Sequence, residues 1–196
     1  MLFIPLVLSL FLSGVKASDT PSFKARMGSE SYVRLRGSTN IDPFGCMNDR
    51  VSMQQSLLIG RLIPAERKIE FSQGVILVQV DGFDCNNSLL EKDLGKTLNK
   101  EDFPNIEARL IDFRPYQDPN LRALAMCKIA VTVRGVERVY DFPFGYAYGE
   151  DIFILDGTLH LRMTSFGITP PSKMMGLVKV DDRLAIRFHL KLNLDQ

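Results

Sequence analysis

Apolar and polar residues alternate along most of the chain, and the alternation is longest at the C-terminus. There Leu184, Ile186, Phe188, Leu190, Leu192 and Leu194 interleave with Ala185, Arg187, His189, Lys191 and Asn193. A period of two puts the first set on one face of a β-strand and the second on the other. Phe153, Leu155, Leu159, Leu161 and Met163 repeat the pattern against Asp156, Thr158, His160 and Arg162. Ala125, Cys127, Ile129, Val131 and Val133 give a third example. Shorter runs predict strands at 32–37, 44–51, 68–71, 75–80, 106–113 and 138–146. Residues 18–29 are small and polar, and predict a loose start.

One segment has a different period. In NNSLLEKDLGKTLNKEDFP, Leu90, Leu94 and Leu98 recur every fourth residue and form one apolar stripe. Asn and Ser before it are helix-capping residues, and Pro104 disfavours continuation. The order is therefore strands, one short helix, then more strands. Long alternating strands joined by short turns favour an antiparallel sheet over parallel βαβ units. Closing that sheet into a barrel removes its exposed edges. The expected class is all-β with one short helix, in one domain.

The first residues change the picture of where the protein works. Leu2 to Leu12 is an almost unbroken apolar run, followed by the small residues Gly14, Val15 and Ala17. This reads as a signal peptide over 1–17, with the mature domain over 18–196. A short membrane anchor and a buried strand are the alternatives. The location expected is periplasmic or secreted. No later apolar run is long enough to span a bilayer as a helix.

Charge argues against a nucleic-acid partner. The chain has 24 basic and 23 acidic residues, and losing Lys16 with the signal brings the two into balance. Phosphate binding draws its affinity from a basic excess, which is lacking.

Candidate chemistry is sparse. The two histidines, His160 and His189, fall on the wet side of their strands, and no Cys-x-x-Cys or H-E-x-x-H accompanies them. No G-x-S-x-G turn is present. Gly95-Lys96-Thr97 resembles the end of a phosphate loop, but it lies inside the predicted helix. Asp181-Asp182 reads as a solvated turn. These observations point to a protein without a catalytic centre, a metal or a cofactor. Of the three cysteines, Cys127 lies on an apolar strand face and reads as a buried free thiol. Three pairings are open in an exported chain. Cys46 and Cys85 have matched settings, each with Phe two residues upstream. Their pairing is the expected disulfide.

Three stretches together carry a family resemblance. RGSTNIDPFGC resembles the opening strand and Cys of the YceI-like family, in the form common in envelope proteins of Bacteroidetes. VDGFDCNNSLLEKDLGKTLNKEDFPNIEARL resembles its strand, Cys, helix and following strand. GTLHLRMTSFGITPPSKMMGLVKVDDRLAIRF resembles its closing block, and the likeness covers about residues 31–194. Ser38-Thr39 inverts the usual small-residue pair, and Ala108 stands where an aromatic is common. The resemblance implies an eight-stranded, antiparallel, lipocalin-like β-barrel that binds a polyisoprenoid, a quinone tail or a related lipid. In such a barrel the apolar strand faces would line the ligand space: Ile129, Val131, Phe153, Leu155, Leu159, Leu161, Ile186, Phe188 and Leu190. Met174 and Met175, in TPPSKMMGLV, would stand at the barrel mouth. The alternative is a structural or interaction protein of the envelope with a filled barrel and no ligand.

Overall fold

The computed structural model describes residues 22–54, 58–117, 123–149 and 151–195, so the predicted signal peptide lies outside the described residues. The strands in chain order are β1 (Ser22–Met27), β2 (Tyr32–Ser38), β3 (Pro43–Asn48), β4 (Val51–Met53), β5 (Leu58–Ile63), β6 (Lys68–Gln73), β7 (Val75–Gln79) and β8 (Phe83–Asp84). Helix α1 (Ser88–Thr97) follows. Then come β9 (Asn105–Gln117), β10 (Ala123–Val133), β11 (Val136–Tyr148), β12 (Ile152–Arg162), β13 (Ser172–Lys173), β14 (Val178–Lys179) and β15 (Arg183–Asp195).

Eight strands close into a ring in the order β1-β5-β6-β9-β10-β11-β12-β15, with β15 pairing back onto β1. All of these pairings are antiparallel. The sequence pattern is sharpest in β10, β12 and β15, and those strands run 11 to 13 residues. The β10–β11 hairpin turns on Arg134 and Gly135, both with positive φ (52° and 75°). That two-residue geometry matches the right-handed twist of the strands it joins.

Two wall strands are broken, and the breaks give the barrel two unlike ends. Gly74, at φ 99°, separates β6 from β7. As a result β9 pairs with β6 near Phe113 and with β7 between Asn105 and Arg109. On the opposite side, β15 pairs with β1 through residues 192–195 and with β2 through residues 185–189. One end is therefore walled by β1, β5 and β6. The other end is walled by β2 and β3 on one side and β4 and β7 on the other.

The β3–β4 corner joins the two sides of that second end. The sequence reads 44–51 as one strand, whereas the chain turns between Asn48 and Val51. Asn48 is fully buried: its Nδ2 donates to the Gln79 carbonyl at 2.6 Å, and its Oδ1 accepts from Arg50 N at 2.9 Å. A buried amide has to be paired, and these two bonds fix the corner against β7.

Residues 22–27, predicted as part of a loose start, form β1. Their pairing with the chain's last strand is non-local, and that is what orders them.

Candidate ligand-binding site

The interior is packed at one end and open at the other. At the β1 end, Ala25, Phe113, Ala125, Leu155 and Leu192 are almost wholly buried. The Phe113 ring meets Phe144, Tyr146 and Phe153 edge-on, with centroids 5.3, 5.1 and 5.7 Å away. Edge-to-face rings at these spacings pack closely against one another.

Above this floor lies a cavity of about 130 Å³. Its wall comes from Val33 and Leu35 of β2, Ile76 and Val78 of β7, Ile106, Ala108 and Leu110 of β9, and the inward faces of β10, β12 and β15. Leu94, Thr97 and Leu98 of α1 cover it, with Met163, Phe166 and Ile168 from the turn after β12. Among the described residues Thr97 is the one polar residue on this wall. No residue of the wall ionises in the physiological range, so the space favours an uncharged apolar guest.

Helix α1 is set over the opening by three features. Asn87 caps it, its Oδ1 accepting from Leu89 N and Leu90 N. Gly95 is buried under the Lys100 side chain, where a Cβ would come within 2.9 Å of Lys100 Cδ. The disulfide Cys46–Cys85 joins β3 to the segment leading into the helix, with Cα atoms 4.0 Å apart. The two cysteines face each other because Met47 pairs with Asp84 in the next register position.

Of the residues the sequence assigns to the lining, Ile129, Val131, Leu159, Leu161, Ile186, Phe188 and Leu190 meet at this cavity. Phe153 and Leu155 share the inward face of β12 with Leu159 and Leu161 but belong to the packed floor. Sequence reasoning does not assign Val33, Leu35, Ile76, Val78 or Ile106, although each alternates with polar or outward neighbours in a strand it does place. It finds the Leu90–Leu94–Leu98 stripe as a helix face, and Leu94 and Leu98 form part of the cavity roof.

A second, more open void of about 300 Å³ lies between α1, the β2–β3 loop and residues 171–180. It shares Leu35, Leu94, Thr97, Met163 and Leu184 with the inner cavity, so the two voids adjoin at these side chains and the outer one stands in the place of a mouth. Pro171, Lys173, Val178 and Val180 line it. Met174 and Met175 belong to the same loop but point outward and line neither void. Both have positive φ (52° and 57°), which turns their side chains away from the barrel.

The remaining candidates lie elsewhere. Cys127 is buried in the core, and burial together with the Asp112 and Asp141 carboxylates pushes its thiol up to about 12. His160 is exposed. His189 Nδ1 lies 3.0 Å from Asp156 Oδ1, and its ring stacks on Tyr32. Asp182 accepts from Thr164 N and Thr164 Oγ1, each at 2.8 Å. No group of three or more His, Cys, Asp or Glu side chains gathers among the described residues as a metal site. None of the helices described is long and apolar enough to cross a membrane.

Solved structures place this architecture. The crystal structure of Burkholderia cenocepacia BcnA superposes with a TM-score of 0.63 at 17% identity, covering 82% of this chain and 95% of that one. A polyisoprenoid-binding domain from Saccharophagus degradans, implicated in plant cell wall breakdown, gives 0.60 at 7% identity over 88% and 98%. A mutant of the Campylobacter jejuni YceI protein gives 0.52 at 10% identity over 75% and 85%. No family model and no curated protein matches the sequence. The fold is that of the YceI-like, lipocalin-like barrels, in agreement with the resemblance seen in the sequence.

Proposed function

We propose that the protein is an exported binding protein that carries or stores a long apolar molecule, such as a polyisoprenoid chain or quinone tail, in the open half of its barrel. The observation that carries this reading is the enclosed cavity whose wall has a single hydroxyl. An apolar cavity of about 150 Å³ holds a benzene-sized guest without any polar contact. At about 130 Å³ the space takes the end of a tail, and the rest lies along the mouth. Burying on the order of 300 Å² of apolar chain returns about 7 kcal/mol before the costs of association. A wall whose one polar group is the Thr97 hydroxyl suits binding of an apolar chain.

Three further observations support the reading. The similar Saccharophagus degradans domain is described as polyisoprenoid-binding. The Cys46–Cys85 disulfide suits an oxidising compartment. The apolar run in residues 1–17 is of the kind that directs export. The packed floor favours a second reading, a structural barrel without ligand, and also limits how deep a ligand reaches.

Calorimetric titration of the protein with an isoprenoid alcohol tests the proposal. Saturable binding with a negative heat-capacity change is expected, as apolar burial produces. Absence of any saturable heat across several temperatures would favour the structural reading.

A further inference from the structure

Five large apolar side chains stand exposed on the segments that border the outer void: Ile41, Leu89, Met174, Met175 and Leu177, each at least 63% exposed. They come from three separate segments that the fold brings together. Asn40 Nδ2 donates to the Leu177 carbonyl at 2.9 Å, and Lys179 N donates to Asn40 Oδ1 at 2.7 Å, tying the β2–β3 loop to the 171–180 loop. Lys173 Nζ reaches Asp93 Oδ1 at 2.7 Å, tying the latter loop to α1, whose Leu89 lines the mouth. Isolated exposed apolar residues are ordinary, but a group of them on tied segments that border an apolar void marks an interaction surface.

The tip of the 171–180 loop is also held in an unfavourable backbone. Met174, Met175 and Gly176 all have positive φ, at 52°, 57° and 91°. Two successive methionines in this region are costly, and both side chains remain largely exposed.

Lysines accompany this rim. Lys92 and Lys96 follow Leu89 by three and seven residues and share its exposed side of α1. Lys179 is exposed beside Leu177. Against these stand Asp42, Asp93 and Asp181, and Asp93 is already paired with Lys173. Apolar tips flanked by cations suit a bilayer with anionic headgroups, where the tips enter the interface and the lysines meet phosphates.

We propose that this rim docks the protein on an anionic lipid bilayer with the cavity mouth facing the membrane, so that an apolar ligand passes between bilayer and barrel without crossing water. The purpose of the docking rests on the carrier reading, but its measurement does not.

The chain has no tryptophan, so a single introduced one is a local reporter. Met175→Trp places it at the rim. Tyr116→Trp places it at the far end of β9, beside the packed floor, as the control. Each full-length variant is mixed with vesicles of equal parts phosphatidylglycerol and phosphatidylethanolamine. The expected result is a blue shift of Met175→Trp emission, with quenching by brominated lipid, and no change in Tyr116→Trp. Added salt or neutral phosphatidylcholine vesicles should reduce the shift. The apolar run in residues 2–12 is common to both variants, so tethering through it alone leaves their emission alike. Equal responses, or none, overturn the proposal. So does a blue shift without vesicles that grows with protein concentration, which identifies a second copy as the occupant. Solvent extraction of the same samples reports ligand separately. A rim-specific shift on protein that never carries an apolar ligand leaves the docking standing and removes the carrier reading.

Discussion

Lys173 Nζ lies 2.7 Å from Asp93 Oδ1, and this ion pair joins the 171–180 loop to α1 across the mouth of the cavity. Both groups keep contact with solvent, so the pair contributes less than about 1 kcal/mol to stability. On the carrier proposal its effect would fall on ligand exchange, because the two segments it joins border the outer void. Lys173→Ala should leave the melting temperature within a few degrees of wild type and speed ligand release by up to about fivefold. Stopped-flow release into acceptor vesicles measures this. Unchanged release would show that the ligand leaves by another route.

The Cys46–Cys85 bridge closes a loop of 39 residues. Reduction should cost roughly 4 kcal/mol in the chain-entropy account, seen as a lower urea midpoint. An identical midpoint in reductant would mean that β3 and β8 are held by packing alone. Cys127 should resist alkylation near pH 8 in the folded protein and react once urea exposes it, since burial pushes its thiol up to about 12. Rapid labelling of the folded protein would contradict that burial.

The Asp182 carboxyl is held below its ordinary value of 3.8, first by the bond from Thr164 N, with Arg162 contributing. A carboxyl lowered in the folded state stabilises the fold above its unfolded value, and that contribution disappears as pH falls through the folded value. The wild type should therefore melt above Asp182→Asn at neutral pH. The gap should close on acidification through about pH 4 and below. A gap that stays constant between neutral pH and about pH 3 would assign the effect to hydrogen bonding alone.

Gly157 leaves room for the rings at the base of the cavity. A Cβ there would lie 2.8 Å from Phe144 Cβ, 2.8 Å from Phe188 Cζ and 3.2 Å from Phe142 Cε2. Gly157→Ala should cost ~1–3 kcal/mol through overpacking, read from chemical denaturation. A neutral effect would mean that the aromatic floor shifts easily.

Period-two patterns make the long strands legible because each of β10, β12 and β15 has one wet and one dry face. They do not show height along the barrel axis. Phe153 and Leu159 share a face and a parity, yet one fills the floor and the other bounds the cavity. The difference comes from which residues the neighbouring strands bring to each level, and Phe113 and Tyr146 reach Phe153 through pairings that local periodicity does not encode. The segment 22–27 alternates Phe23, Ala25 and Met27 with Ser22, Lys24 and Arg26, but too briefly to stand out from a polar start. The outward turn of Met174 and Met175 is a matter of backbone φ, and apolar identity alone points the other way.

Ala108 lies on the cavity wall, where a larger side chain has open space before it. Native mass spectrometry of gently purified wild type and Ala108→Phe, with melting temperatures on the same samples, tests the binding account most directly. Wild type should carry apolar adducts, and Ala108→Phe should melt like wild type while losing most of them. Bare protein in both samples, with Ala108→Phe melting lower through overpacking, would contradict it and leave a filled structural barrel.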